Sequence, residues 1–537
     1  MAHTRLTRNT ALLVIFLVAL GLLTWDINAP FVRQGCYDEI IYTLHARAFD
    51  RYGFIKTRLA LVYPPGDPAV PLSIDNPATS RSVLLTVLLT LVYKALGYRE
   101  WAGRLIGIAS TLISLLALYG LSRRLWTQRV ALIATLVMAL TPSIVIFGRE
   151  TWTVAPQMAC WLIALWLYVR WLQTEHLPCL WGMAVSLALG ILFSPWSGLF
   201  LPPFIALHGL IWGGKHRWIT IGWSMGAAVV TAVLFAAHMI WLGPVAWQSV
   251  FERIALRSGA SGVDVSPSAI AWLTKMIWRI SGWNTPFAVL FGVVVLFALA
   301  YRMIKRKQVA LADQVWMILI SVGLSIMLVF PQLAWVHHYI AVFTVPGLAV
   351  ASAVAVDGSL TRMSHNKLAL IVVAVLAMGW LAWSIVMIDI QSQYRLKELD
   401  VYARLDQSLP PGGRILVAGD VPFTFQFYFK HPWARVELDH EWENESSSGR
   451  HVLGLVFFQP GSPVEAQAVS FAAGRVDTDP PLSPSFFVVP LNKQDTSVLV
   501  AQLNGIPERA SPTALENLIQ STRKALELRL GIRTRLD

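Results

Sequence analysis

The sequence predicts an α-helical polytopic membrane protein of about eleven transmembrane helices, with interfacial helices in the first outer loop and a small C-terminal α/β extracytoplasmic domain. Three observations predict it. Hydrophobic residues make up 55% of the 537 and charged residues only 14%, with a mean hydropathy of +0.56, which is more apolar surface than a soluble core of this length needs. Apolar runs close to the roughly 17 to 25 residues that cross a bilayer recur along the chain. After Ile390 the composition changes to that of a soluble domain.

The runs are 10–26, 102–121, 130–147, 154–171, 181–194, 197–213, 218–242, 285–301, 315–330, 339–356 and 368–390. The first follows Arg5 and Arg8 as a signal peptide would, yet no small-residue cleavage site follows Leu23-Thr24-Trp25, so it reads as a retained helix. A further run, 82–96, is decided by charge parity. If it crossed, Arg123, Arg124, Arg129 and every later basic cluster would face the side opposite the basic N-terminus. If it lies in the interface, those arginines share one side with Arg5 and Arg8, as do Arg170, Lys215, Arg217, Arg302, Lys305, Arg306, Lys307, Arg362 and Lys367. That is the positive-inside pattern. Parity thus predicts an interfacial helix at 82–96, a cytoplasmic N-terminus, a transmembrane domain at 1–391 with an outer loop at 27–100, and an extracytoplasmic domain at 392–537. The net charge of +12 then belongs to membrane anchors and does not mark a nucleic-acid partner. Cys36, Cys160 and Cys179 lie far apart, so neither a disulfide nor a zinc site is implied.

In the C-terminal part, 414–418, 451–458 and 485–490 read as short buried strands, with helical patterns at 421–430, 465–473 and 512–530. It holds no phosphate loop, no Gly-x-Gly-x-x-Gly and no hydrolase nucleophile elbow. The sequon Asn444-Glu445-Ser446 reads as a chance match.

Chemistry points to the outer segments: 27–100, 148–153, 194–197, 243–284, 331–338 and everything after Ile390. The first holds two adjacent carboxylates, Asp38-Glu39, beside the membrane. Asp38, Tyr42, His45 and Phe49 follow at helical spacing and share one face, with Ile41, Leu44 and Ala48 as a neighbouring apolar stripe suited to a membrane surface. The plainer alternative is an interfacial helix whose acids only solvate its outer side.

At these residues the chain resembles the GT-C superfamily of membrane glycosyltransferases. The likeness is to its dolichyl- or polyprenyl-phosphate-sugar dependent branch, which includes protein O-mannosyltransferases and the lipid A aminoarabinose transferase. Asp38-Glu39-x-x-Tyr42 is similar to the branch's Asp-Glu-x-x-Tyr. Asp75-Asn76-Pro77 stands where the family has Glu-Lys-Pro or His-Pro-Pro. Trp101-Ala102-Gly103-Arg104-Leu105 and Ser122-Arg123-Arg124-Leu125-Trp126 resemble the ends of its next span. Gly148-Arg149-Glu150 ahead of Pro156, Leu189-Gly190-Ile191-Leu192-Phe193-Ser194-Pro195 and His337-His338-Tyr339 follow in the family's order. Three positions depart from the pattern: Asn76 stands for the lysine, Ala155-Pro156 lacks the aspartate of Asp-x-Pro, and Ser194-Pro195 lacks Thr-Lys.

The resemblance implies transfer of a sugar from a polyprenyl-phosphate carrier to a protein, lipid or glycan acceptor at the outer face of the cell inner membrane. Such a reaction needs a carboxylate to deprotonate the acceptor hydroxyl, and Asp38, with Glu39, is the candidate. Charge growing on the departing phosphate needs cationic or hydrogen-bonding partners, either side chains or a divalent metal. The candidate substrate-binding residues are Tyr42, His45, Asp75, Asn76, Arg149, Glu150, Arg253, Arg257, His337, His338 and Tyr339, with Lys275 and Arg279 as further cations. Trp241, Trp247, Trp272, Trp278 and Trp283 read first as an aromatic belt and second as a wall for the lipid tail. Arg104, at the edge of a span, reads as a snorkelling arginine.

Two other classes stay open. A transporter or flippase of a lipid-linked sugar places ionisable residues and broken helices inside the membrane. Here the spans hold no Asp or Glu away from their ends, and His208 and His238 read as satisfied core histidines. A non-catalytic assembly subunit with a degenerate transferase fold is the third class.

Overall fold

The computed structural model describes residues 2–31, 38–67, 71–75, 77–79, 81–260, 268–306, 309–362, 367–391, 396–409, 414–419, 421–436, 441, 453–457 and 486–490. Helices dominate. In chain order they begin with α1 (Ala2–Thr24), α2 (Asp38–Tyr52), α3 (Val83–Leu96), α4 (Glu100–Leu125), α5 (Gln128–Leu140), α6 (Pro142–Arg149), α7 (Val154–Thr174) and α8 (Leu177–Phe193). Next come α9 (Pro195–Gly198), α10 (Leu201–Trp212), α11 (Arg217–Leu242), α12 (Pro244–Ser258), α13 (Ala269–Asn284), α14 (Pro286–Arg306), α15 (Leu311–Val329) and α16 (Pro331–Val336). The last are α17 (Val345–Arg362), α18 (Lys367–Gln391), α19 (Leu396–Ser408) and α20 (Phe423–Tyr428), joined by strands β1 (Ile415–Gly419), β2 (Trp433–Arg435), β3 (Leu453–Phe457) and β4 (Phe486–Pro490). Two compact units result: Met1–Ala29 with Gly53–Leu61 and Asp75–Ser392, and Pro30–Tyr52 with Val62–Ile74 and Gln393–Asp537.

The first unit carries the long apolar helices. Among the described residues, Glu100–Leu125, Gly214–Leu242, Pro286–Lys305, Leu311–Val329 and His338–Thr361 are long and apolar enough to cross a membrane, and a sixth span arises if α5 and α6 count together. The sequence presents 130–147 as one run, but the chain bends by 64° between α5 and α6. Pro142 is the cause. It opens α6, has no N–H for the α5 ladder, and its ring excludes the carbonyl four residues back. The freed groups are taken up locally, with Thr141 Oγ1 donating to the Val137 carbonyl at 2.7 Å.

Helix α3 occupies the run decided by parity. Its 14 residues give about 21 Å of helix. Ser82 caps it, accepting from Leu85 N at 3.0 Å and donating to the Leu192 carbonyl at 2.9 Å. Gly97 at φ +82° ends it, a conformation that costs glycine nothing.

Arg104 does not snorkel. It is only 4% exposed, and its Nη1 donates to the carbonyls of Ile27 at 2.8 Å and Ala29 at 2.6 Å. Two backbone acceptors after α1 are thereby satisfied inside the protein. His208 is satisfied as expected. Tyr168 Oη lies 2.7 Å from its Nδ1 and Gln314 Oε1 lies 2.9 Å from its Nε2, while the Gln314 amide donates to Val309 O. With the amide nitrogen so used, Gln314 Oε1 is the acceptor for His208 Nε2.

In the second unit the strand order is β2-β1-β3-β4. Strand β1 runs parallel to β2 and β3, and β4 runs antiparallel to β3. One face of this sheet is covered by Val401, Tyr402 and Leu405 of α19 and by Phe425 and Phe429, against Ile415, Val417, Leu455 and Phe457. Strands β1, β3 and β4 fall on runs that read as strands, whereas the three residues of β2 carry no alternation to find. The helical patterns at 465–473 and 512–530 and the Asn444 sequon lie outside the described residues.

Candidate active site

The carboxylate helix belongs to the second unit. Asp38 and Glu39 form the first turn of α2, where the exposed N–H groups favour negative charge. Every residue from Glu39 to Phe49 except Arg47 is buried, and Glu39 is only 3% exposed. The helix is therefore packed nearly all round rather than resting with one wet side. Asp38 is half-buried. Tyr42, His45 and Phe49 share the expected face and are buried. His45 is occupied structurally, donating from Nδ1 to the Val62 carbonyl at 2.9 Å and lying 4.7 Å from the Tyr63 ring.

The aromatic run of α20 supports this helix within the same unit. Phe31, Ile40, Leu44 and Phe427 form one buried cluster. Arg47 donates from Nη1 to the Phe427 carbonyl at 3.0 Å and lies 4.1 Å over the Phe427 ring. Phe31 N donates to Tyr428 Oη at 2.7 Å, and Tyr63 stacks on Phe423 at 5.3 Å. Sequence reasoning missed Arg47, Tyr63, Phe423 and Phe427. The available signal was an aromatic at four of six positions in Phe423-Thr424-Phe425-Gln426-Phe427-Tyr428, too many for a helix with one buried face.

In the first unit, the α6–α7 turn gathers Arg149, Glu150 and Trp152 with the segment after α16. Arg149 is 2% and Glu150 1% exposed, and Arg149 Nη1 donates to the Trp25 carbonyl at 2.6 Å. Gly107 makes the approach of α4 to this turn feasible, because a Cβ there would stand 2.5 Å from the Glu150 carbonyl oxygen. Trp152 meets Tyr339 edge-on at 4.2 Å, and Phe147 lies 5.7 Å from His338. His338 itself stacks on Trp283 at 4.5 Å with an interplanar angle of 8°. His337 is exposed and His338 and Tyr339 half-buried. The residues that flank the Arg149–Glu150 turn, Phe147 and Trp152, thus meet His338 and Tyr339 in one aromatic cluster.

Other candidates have other neighbours or face solvent. Arg253 on α12 and Asp75 are exposed, and Asn76 lies outside the described residues. Arg257 sits 4.8 Å over the Trp196 ring, and Lys275 3.8 Å over the Trp335 ring. Arg279 is buried and donates to the carbonyls of Ala334 and Val336, so it secures the chain ahead of His337. Among the described residues, no three His, Cys, Asp or Glu side chains gather as a metal site.

A groove of about 190 Å³ also opens in the first unit, with Leu61, Pro77, Leu84, Ile191, Phe235 and Met239 among its apolar walls. Arg81 and His238 are its basic lining residues. Arg58 and Leu59, at φ +52° and +57°, hold a left-handed conformation rare for such side chains. His238 Nε2 fixes that strained pair by donating to the Arg58 carbonyl at 3.0 Å.

Residues 80–241 match the family model described as Dolichyl-phosphate-mannose-protein mannosyltransferase. Among curated proteins none matches the sequence. The fold is similar to that of ArnT from Cupriavidus metallidurans bound to undecaprenyl phosphate, with a TM-score of 0.61 and 14% identity over 90% of this chain and 98% of that one. The same enzyme in the apo state gives 0.57 and 15% over 96% and 100%. The oligosaccharyltransferase AglB from Archaeoglobus fulgidus, in complex with an inhibitory peptide and a dolichol-phosphate, gives 0.54 and 13% over 88% and 71%.

Proposed function

We propose that this chain, which has the fold of the GT-C membrane glycosyltransferases, moves a sugar from a polyprenyl-phosphate carrier to a protein, lipid or glycan acceptor. The observation that carries the reading is the Asp38-Glu39 pair opening a packed helix in a chain of this fold. Asp38 takes the proton of the acceptor hydroxyl while that oxygen bonds to the anomeric carbon. The bond from that carbon to the phosphate oxygen breaks with its electron pair, leaving polyprenyl phosphate and an inverted anomeric centre. Arg149, His337, His338 and Tyr339, with Arg253 and Arg257, are assigned to the donor's phosphate and sugar.

The apolar groove suits the carrier's hydrocarbon chain, in keeping with the ligand held by the similar ArnT structure. Eleven crossings are assigned to α1, α4, the bent pair α5 and α6, α7, α8, α10, α11, α14, α15, α17 and α18. With α3 in the interface, charge parity puts the N-terminus in the cytoplasm and the first loop and residues 392–537 outside the inner membrane.

The test is transfer by purified protein from a panel of labelled polyprenyl-phosphate sugars to protein, lipid and glycan acceptors. A labelled product of inverted configuration is expected. No product from any pair would remove the reading. A reporter fused after Arg129 should behave as cytoplasmic, and an external signal would overturn the topology. The break at Pro142 favours a second reading, a flippase for the lipid-linked sugar. Protein-dependent movement of labelled carrier across liposomes without transfer would select it.

A further inference from the structure

We infer that the C-terminal domain is the positioning device of the carboxylate helix: it holds Asp38 and Glu39 in place through Arg47 and the aromatic run of α20. The inference rests on the reading of Asp38 as base, and it assigns that domain a part in the chemistry rather than in choosing acceptors. Its basis lies within one compact unit, which takes α2 and residues 62–74 together with the chain after 392.

Helix α20 has two working faces. Phe425, with Phe429 just beyond the helix, enters the sheet core beside Ile415, Val417 and Phe457. Phe427 turns to α2 and packs against Phe31, Ile40 and Leu44. Ile40 is the residue after Glu39, so the sheet is tied through six residues of helix to the turn that bears the carboxylates. A one-turn helix is too short to be stable by itself; its position is set by the sheet behind it and then imposed on α2.

Arg47 closes the clamp from the other end of α2. Its guanidinium donates to the Phe427 carbonyl at 3.0 Å and covers the Phe427 ring at 4.1 Å, so one side chain restrains both backbone and ring of the same residue. A second strut runs from His45 through Tyr63 to Phe423, with ring centroids 4.7 and 5.3 Å apart. A third is the Arg414–Asp67 ion pair at 3.2 Å, joined by Gly66, where any Cβ would strike Trp433. The struts approach α2 from 31, 62–67 and 423–428, and together they fix its translation and its rotation. A base displaced by about 1 Å loses on the order of 100-fold in rate, so such fixing has a kinetic consequence.

The test uses the full chain with Arg47→Ala, Phe427→Leu and the conservative Arg47→Lys, followed by amide hydrogen exchange and by transfer kinetics. In Arg47→Ala and Phe427→Leu, exchange of α2 amides should rise roughly tenfold or more while α10 and α11 stay protected. The kcat should fall about 10- to 100-fold with the donor KM unchanged, and Arg47→Lys should recover most of both. Unchanged α2 exchange overturns the inference, as does raised exchange with undiminished kcat. Failure of the transfer reading is distinguishable: the wild type would then transfer no sugar, while the exchange result would still report whether the clamp exists.

Discussion

The indole of Trp283 and the imidazole of His338 stack with centroids 4.5 Å apart and planes within 8°. A histidine assigned to the donor's phosphate is thus held by an aromatic that sequence reasoning placed in the lipid belt. Trp283→Leu should raise the donor KM about 2- to 10-fold, the equivalent of one lost aromatic pair. His338→Ala should raise it at least as far. The check is steady-state transfer at varied donor concentration.

Gly107 lies where α4 passes the buried Arg149–Glu150 turn. An added Cβ would meet backbone carbonyl oxygens at 2.5 and 3.0 Å, and backbone yields less easily than a side-chain tip. Gly107→Ala should cost about 1–3 kcal/mol, read as a lowered unfolding midpoint in detergent. Gly226→Ala, on α11 with nothing within 4 Å of the added carbon, is the matched control and should not be destabilised.

Arg104 gives two hydrogen bonds to the carbonyls of Ile27 and Ala29. Arg104→Met keeps much of the volume and leaves buried acceptors unmet, at roughly 1–3 kcal/mol for each such group. Thermal unfolding would register this. A surface arginine that merely snorkelled would show almost no change.

Glu175 is an exposed carboxylate whose pKa is lowered, chiefly by its hydrogen bond to Lys215 and the charge of that lysine, at 2.7 Å. A lowered folded pKa means that the pair's stabilisation is present above the unfolded carboxylate value of 4.5 and is lost as pH falls through the folded value. Because the group is fully exposed the effect is small and salt-screened. Glu175→Gln should leave transfer unchanged and flatten only the acid limb of the unfolding midpoint against pH.

The length of the apolar runs made the helical body legible, because a helix that crosses lipid must be apolar along its whole length. Charge parity singled out 82–96, a run that forms the helix α3. The bend at Pro142 was open to reading, since proline breaks a helix by its covalent structure, but apolar residues on both sides hid it within one run. The Asp38-Glu39 turn was visible as chemistry out of place. What held it was not visible, because the clamp joins residues 380 positions apart, Arg47 to Phe427, and such contacts leave no periodic mark. Arg104 shows the same limit: an arginine at the end of an apolar run looks alike whether it reaches water or a buried carbonyl.

Asp38 carries the proposed proton transfer. The most direct measurement is the rate of sugar transfer by purified Asp38→Asn protein against wild type, at saturating donor and acceptor. The kcat should be lower by at least about 100-fold, as for loss of a general base, with the donor KM and the unfolding midpoint unchanged. Transfer by Asp38→Asn at the wild-type rate would contradict it.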